Sequence, residues 1–452
     1  MTTEPAPHAL PRGPFDDAHL RQLVVGQGLA AVVDALFLVW LTLFVLDLSG
    51  PGRATGFVLV AVALPRAALL LPAGVLVDRV GPARITSGAA WLRVAVLVAL
   101  GAVTTLSSPS PATVALLAGL LGVADAAYFP AALALLPAVV PTERLARVNG
   151  LVQGAESGGD LIGPAVAAGT IAAVGFDATL GVIAAMAALA ALALSTLVRV
   201  VRRGGDGAGN GTGTGPDDAP GNGTGPDDAP GNGTGPDDAP GNGTGPDDAP
   251  GDERLSSARA LGAGLRYAWR EPLVRGMLAA VAVINIAVVG PVLVGGAVLA
   301  DQRLGGAGAL GVVLSGFGAG SLAGSLVAGW RPPARRGWTV AGGVAAIGAG
   351  TAGLAAATHV VAATAVASLV GLGSAFLGVV IVATLQERVP ERLLGRVLSL
   401  VVLATVAFDP FSYVLAGVLL PYGTTTLFLV CGGAVLACAV LVAASPAIRS
   451  LR

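Results

Sequence analysis

The chain has 452 residues, 54% hydrophobic and only 12% charged, with 26 basic and 27 acidic side chains and a net charge of −1. That balance argues against a soluble core and against nucleic acid as a partner, and fits a polytopic membrane protein. Every basic residue is arginine. Without lysine, a phosphate-binding loop of the G-x-x-x-x-G-K-[ST] type and Schiff-base chemistry are both excluded, and the chain is expected not to be an enzyme.

Residues 1–20 form a polar, Pro-rich tail with no apolar run, unlike a cleavable signal peptide. Twelve apolar stretches follow, at about 22–46, 54–77, 85–106, 112–138, 150–174, 178–198, 273–299, 308–329, 338–358, 362–385, 397–420 and 426–446. Each is long enough to cross about 30 Å of hydrocarbon as a helix. They divide six and six around residues 204–252, where G-N-G-T-G-P-D-D-A-P recurs in tandem. Gly, Pro and Asp at that density favour a solvated tether. Residues 255–270 (LSSARALGAGLRYAWR) combine arginines with Leu261, Leu265, Tyr267 and Trp269, the pattern of a short amphipathic helix at a membrane interface.

The arginines alternate by loop. Twenty-two lie in the tails, the central segment and the even-numbered loops, whereas only Arg53 and Arg303 occupy loops of the other side. The excess of arginine on the cytoplasmic side of membrane proteins places both termini and the linker in the cytoplasm, in a cytoplasmic (plasma) membrane. The expected architecture is an all-α membrane protein with twelve transmembrane helices in two six-helix bundles, residues 21–203 and 253–452. Two related bundles joined by a long linker suit a transporter with its site between them.

No metal or cofactor is expected. His8, His19 and His359 have no Cys or carboxylate at ligand spacing. Cys431 and Cys438 lie seven apart on one helix face, too far along the axis for a disulfide, and read as small packing residues.

The loop between stretches 2 and 3 reads Gly74-Val-Leu-Val-Asp78-Arg79-Val-Gly81-Pro-Ala-Arg84. It resembles the loop signature G-x-x-x-D-[RK]-x-G-[RK]-[RK] of the major facilitator superfamily, with Pro82 and Ala83 in place of basic residues. The resemblance implies a major facilitator fold in which this cluster latches the cytoplasmic gate. Gly74 would permit close helix contact, and Asp78 would pair with an arginine or face a helix N-terminus. The equivalent second-half loop, from Gly329 to Gly337, lacks the aspartate. Asp34-Ala-Leu-Phe, the stretch from Tyr128 to Arg147, residues 264–275 and Gln386 to Arg396 are similar to the drug:proton antiporter branch that includes macrolide and enterobactin exporters. Gly159, Gly163, Pro164 and Gly169 in stretch 5 are similar to an exporter signature; these small residues would pack closely and Pro164 would bend the helix.

Seven charged residues lie well inside the apolar stretches: Asp34, Arg66, Arg93, Asp125, Glu156, Asp160 and Asp409. At roughly 2.5–3.5 kcal/mol for each one exposed to lipid, they must face the bundle interior or water. Because helices 1 and 4 line the central cavity in the family fold, Asp34 and Asp125 lead as the carboxylate that takes a proton or a cationic substrate. Arg66 could switch an acid between states. Glu156 and Asp160, spaced i and i+4, share a helix face, and repulsion favours protonating one of them. The alternative is that Arg66 and Arg93 form fixed structural ion pairs with these acids.

These residues support a secondary active transporter, functional as a monomer in the lipid bilayer. It would exchange protons for a small lipophilic or amphipathic compound, as a multidrug or natural-product efflux antiporter. A siderophore or metabolite exporter of narrow specificity is the alternative, and a non-transporting receptor or scaffold is the rival from a different class.

Overall fold

The computed structural model describes residues 18–50, 53–140, 142–209, 262, 265–330 and 336–449. Most of the N-terminal tail, the tandem repeat, residues 255–261 of the expected interfacial helix and the loop at 331–335 lie outside them. Of that interfacial helix, residues 265–270 are helical.

Eleven helical spans among the described residues are long and apolar enough to cross a membrane. One of them, Gly150–Thr196, has 47 residues. At about 1.5 Å per residue it would be roughly 70 Å long, more than twice the hydrocarbon thickness. It is two helices. Gly175, at φ 82° and ψ 178°, sits in backbone territory that L side chains avoid, and there the helical run Thr142–Gly209 breaks. Ala155 and Leu194 lie on either side of the break, yet they pack against Gly28 and Gly26 of the same helix. The two arms therefore run antiparallel, and the membrane is crossed twelve times.

In chain order the helices are α1 Ala18–Ser49, α2 Arg53–Val80, α3 Pro82–Leu106, α4 Pro111–Val139, α5 (142–174) and α6 (176–209). The second half contains α7 Pro272–Leu304, α8 Ala307–Trp330, α9 Arg336–Ala356, α10 Val360–Arg388, α11 (391–419) and α12 Thr424–Ala444. Helix α6 continues to Gly209, six residues past the expected start of the tether.

Each half repeats one pattern of close pairs, α1 with α5, α2 with α4 and α3 with α6, matched by α7 with α11, α8 with α10 and α9 with α12. Glycines make these approaches possible, as at Gly119 against the Ala61 carbonyl and Gly348 against the backbone of Gly432 and Leu436. Lipid offers no hydrophobic drive between helices, so this backbone proximity supplies the packing energy. Trp40, fully buried, donates from Nε1 to the Phe176 carbonyl at 2.9 Å and stacks on Phe44, fixing α1 to the start of α6.

The halves meet at the end of the molecule opposite Ala18 and Arg449. There Gly56 of α2 abuts Gly417 of α11, and Gly311 of α8 abuts Pro164, Ala165 and Ala168 of α5. At the terminus end, none of the nearest atoms around the Cβ positions of the described glycines belongs to the other half. The N-terminal half instead has its own small core there, built on Leu20, Leu23, Leu135, Val148 and Leu194.

Candidate functional site

A cavity of about 740 Å³ lies between the halves. Its walls are mostly apolar, including Leu38, Val62, Val288, Val292, Leu314 and Phe317. Two charged residues line it, Arg66 from α2 and Asp409 from α11. The volume falls within the roughly 300–1,000 Å³ typical of small-molecule sites.

Helix α11 breaks where it presents its acid. Phe408 adopts φ −93° and ψ −9°, dividing the helix into Glu391–Ala407 and Asp409–Leu419. Pro410 follows at the first turn of the second segment, where its missing N–H costs nothing. Asp409 thus sits at a helix N-terminus facing the cavity, a position that favours negative charge. Arg66 acts on it electrostatically, but neither residue belongs to any ion pair found within 4.0 Å among the described residues. The Arg66 guanidinium lies 6.0 Å from the Phe129 ring centroid, and its Nε is buried without a hydrogen-bond partner.

Asp34 and Asp125 are placed differently. Both flank Arg93 of α3, which is 4% exposed. Arg93 Nη2 pairs with Asp34 Oδ1, and Arg93 Nε lies 3.1 Å from Asp125 Oδ1. The latter contact has ion-pair distance without hydrogen-bond alignment. The Tyr128 ring covers the guanidinium at 5.1 Å. One buried cation thereby joins α1, α3 and α4, and Asp125 is 16% and Asp34 50% exposed. Neither acid lines the central cavity. Glu156 is half-buried and acts electrostatically on Tyr128, while its neighbour Ser157 reaches the cavity. Asp160 lies on α5, but its side chain is outside the described residues.

In the loop between α2 and α3, Gly81 takes φ 96° and Pro82 opens α3. Asp78, Arg79 and Arg84 are exposed. Among the described residues the close helix contact expected at Gly74 is not made, since none of them lies within 4 Å of its Cβ position. Gly74 is near the terminus end of α2, away from the seam that joins the halves. Along α5, Gly159 and Gly163 do pack tightly, on Val32 and Ala35 of α1, whereas Gly169 has open space. The backbone stays helical through Pro164, the break coming later at Gly175. Cys431 and Cys438 are buried and unpaired.

Sequence reasoning missed Ser412. Its Oγ accepts from the Gly290 N–H and donates to the Ile286 carbonyl, both at 2.7 Å. Gly290 and Ile286 are the donor and acceptor of one ordinary i→i−4 helix bond, so a hydroxyl of α11 is inserted into the ladder of α7. Directly beyond it α7 widens into π-helix at Pro291–Gly295 and again at Ala300–Leu304. Val292 and Leu293 of the first widened turn line the cavity. For the widening of α7 itself the readable signal was Pro291, which leaves a helix bond unmade. A second missed contact is Arg336 of α9 with Glu387 of α10, which gives the second half an acid–arginine pair although its loop lost the aspartate.

The Major Facilitator Superfamily profile matches residues 23–408. The chain belongs to this superfamily. It is 29% identical over 181 residues to an uncharacterized MFS-type transporter, y4rN, of Sinorhizobium fredii (strain NBRC 101917 / NGR234). That alignment covers 40% of the chain and spans 45% of the relative's length. Among solved structures, a peptide transporter POT in complex with alafosfalin superposes with a TM-score of 0.70 at 16% identity, over 97% of this chain and 96% of that one. The nucleoside transporter NupG gives a TM-score of 0.68 at 11% identity, covering 94% and 98%. A bacterial homologue of the iron transporter ferroportin in an inward-facing state gives 0.62 at 16%, covering 94% and 97%. At these identities the likeness concerns the fold. The molecule is a multi-pass membrane protein of major facilitator architecture.

Proposed function

We propose that this facilitator is a proton-coupled exporter of small lipophilic or amphipathic compounds, with both arginine-rich termini in the cytoplasm. The observation that carries the reading is the pair of opposite charges, Arg66 and Asp409, set from different halves into one largely apolar cavity with no ion pair within 4.0 Å among the described residues. Rocking of the halves about the α2–α11 and α5–α8 contacts would change the distance between them. When Arg66 is near, its charge faces the Asp409 carboxylate; when it withdraws, that carboxylate is left for a proton or a cationic cargo. Cargo and proton would thereby compete for one carboxylate, which is the requirement for exchange.

Asp34 and Asp125 have a secondary role in this account, since both already face Arg93. The exposed Asp78, Arg79 and Arg84 would latch the terminus end when it closes. In the closed form Gly74 would gain the neighbour it now lacks. The reading is tested by acidifying the lumen of inverted vesicles and following uptake of a fluorescent dye that carries ammonium N–H bonds, the equivalent of efflux from the cell, with protein-free vesicles giving the passive trapping. Efflux by the wild type that disappears in Asp409→Asn supports it. Efflux unaffected by that change would contradict it.

A further inference from the structure

Resting on that transport reading, the hydrogen-bond inventory of the cavity narrows the cargo further. Each hydroxyl has one proton to donate, and the second-half wall has already spent its protons. Ser321 Oγ donates to the Phe317 carbonyl at 3.0 Å, Ser325 Oγ to the Ser321 carbonyl at 2.8 Å, and Thr405 Oγ1 to the Val402 carbonyl at 2.7 Å. Asn285 uses one amide N–H on the Val281 carbonyl at 2.9 Å. What these four residues of α7, α8 and α11 can still offer is chiefly oxygen lone pairs. Asp409 adds a carboxylate with no basic side chain within 4.0 Å among the described residues. The remaining donors on this wall are the second Asn285 N–H and the Tyr413 phenol. On the first-half wall the charged group is a donor, because Arg66 only donates, with the Ser157 hydroxyl as the other polar side chain.

We propose that the cavity selects small amphipathic amines in their protonated, N–H-bearing form, with the ammonium held by Asp409 and the lone pairs of Ser321, Ser325 and Thr405. The positive charge of Arg66 keeps the ammonium to the second-half wall, and the apolar body of the cargo lies along Val288, Val292 and Phe317. The alternative wall, apolar with one carboxylate and no free acceptors, would choose in the opposite sense. A quaternary ammonium sheds water more cheaply than a primary one, so it enters a site that cannot replace those lost hydrogen bonds. Preference between the two forms therefore reports directly on the acceptors.

The test is isothermal titration of the purified full-length chain with 4-phenylbutylammonium and with its N,N,N-trimethyl analogue. The primary amine is expected to bind about tenfold tighter, the equivalent of roughly one charge-assisted hydrogen bond. The double substitution Ser321→Ala, Ser325→Ala removes acceptors without touching charge and is expected to shrink that ratio towards one. Unchanged thermal unfolding of the double variant establishes that it is folded. Equal binding, tighter binding of the trimethyl compound, no binding of either, or a ratio that the double variant leaves unchanged would each overturn the proposal. Discrimination without gradient-driven efflux would remove the exporter reading and leave this one standing. Efflux without discrimination would do the reverse.

Discussion

The two membrane-embedded arginines of the first half do opposite work. Arg93 is enclosed, 4% exposed, and divided between two carboxylates of its own bundle under an aromatic ring. Arg66, twenty-seven positions earlier, faces the cavity between the bundles with no ion-pair partner among the described residues, opposite an acid of the other half. A cation satisfied within one rigid body holds that body together; a cation left unsatisfied between two moving bodies can respond to their movement. Stability should therefore reside in the Arg93 cluster and transport in the Arg66 and Asp409 pair.

Ranked by effect on stability, the variants that break this contrast begin with Arg93→Met. It leaves two acids uncompensated, and loss of one partner from a buried ion pair costs about 3–5 kcal/mol. Because Asp34 is half exposed and solvent screens it, the lower end is expected, read as a fall in the thermal unfolding midpoint of the purified protein. Ser412→Ala comes next. It removes the hydroxyl bridging Gly290 and Ile286, at a cost of about 1–3 kcal/mol unless α7 closes its own ladder. Amide hydrogen exchange at Gly290 distinguishes these outcomes, with faster exchange expected. Asp409→Asn should change unfolding by less than about 1 kcal/mol, since no ion pair is broken, while abolishing proton-driven efflux. Smallest of all is deletion of residues 210–250, for which stability and efflux should both stay near wild type because loop length enters the free energy only logarithmically. Lost function with normal membrane expression after that deletion would favour the scaffold reading.

The fold was legible because its signal is local. Twelve apolar runs mark twelve crossings, and the turn between stretches 5 and 6 was placed within a few residues of Gly175, where an apolar run is interrupted by Gly and Asp177. The charged residues of the site were legible for the same reason, since any acid or arginine inside such a run stands out. Their grouping was not. Whether Asp34 faces Arg93 or the cavity depends on how helices rotate and pack against one another, which no single helix encodes. Asp125 and Asp409 look alike in sequence, yet one is committed to Arg93 and the other lines the cavity. The break at Phe408 could have been inferred from Asp409-Pro410, a dipeptide that favours starting a helix. The insertion of Ser412 into α7 could not, because a membrane serine ordinarily bonds back to its own helix, as Ser321 and Ser325 do.

The central claim is that exchange is coupled through the acid in the cavity and not through the acids bound to Arg93. Uptake of the same N–H-bearing dye into acid-loaded inverted vesicles, the equivalent of efflux from the cell, compared between Asp409→Asn and Asp34→Asn at matched expression, tests it directly. The account predicts that Asp409→Asn abolishes proton-dependent efflux while Asp34→Asn retains a measurable part of it. Normal coupled efflux in Asp409→Asn together with its loss in Asp34→Asn would contradict the account and move the coupling site to the Arg93 cluster.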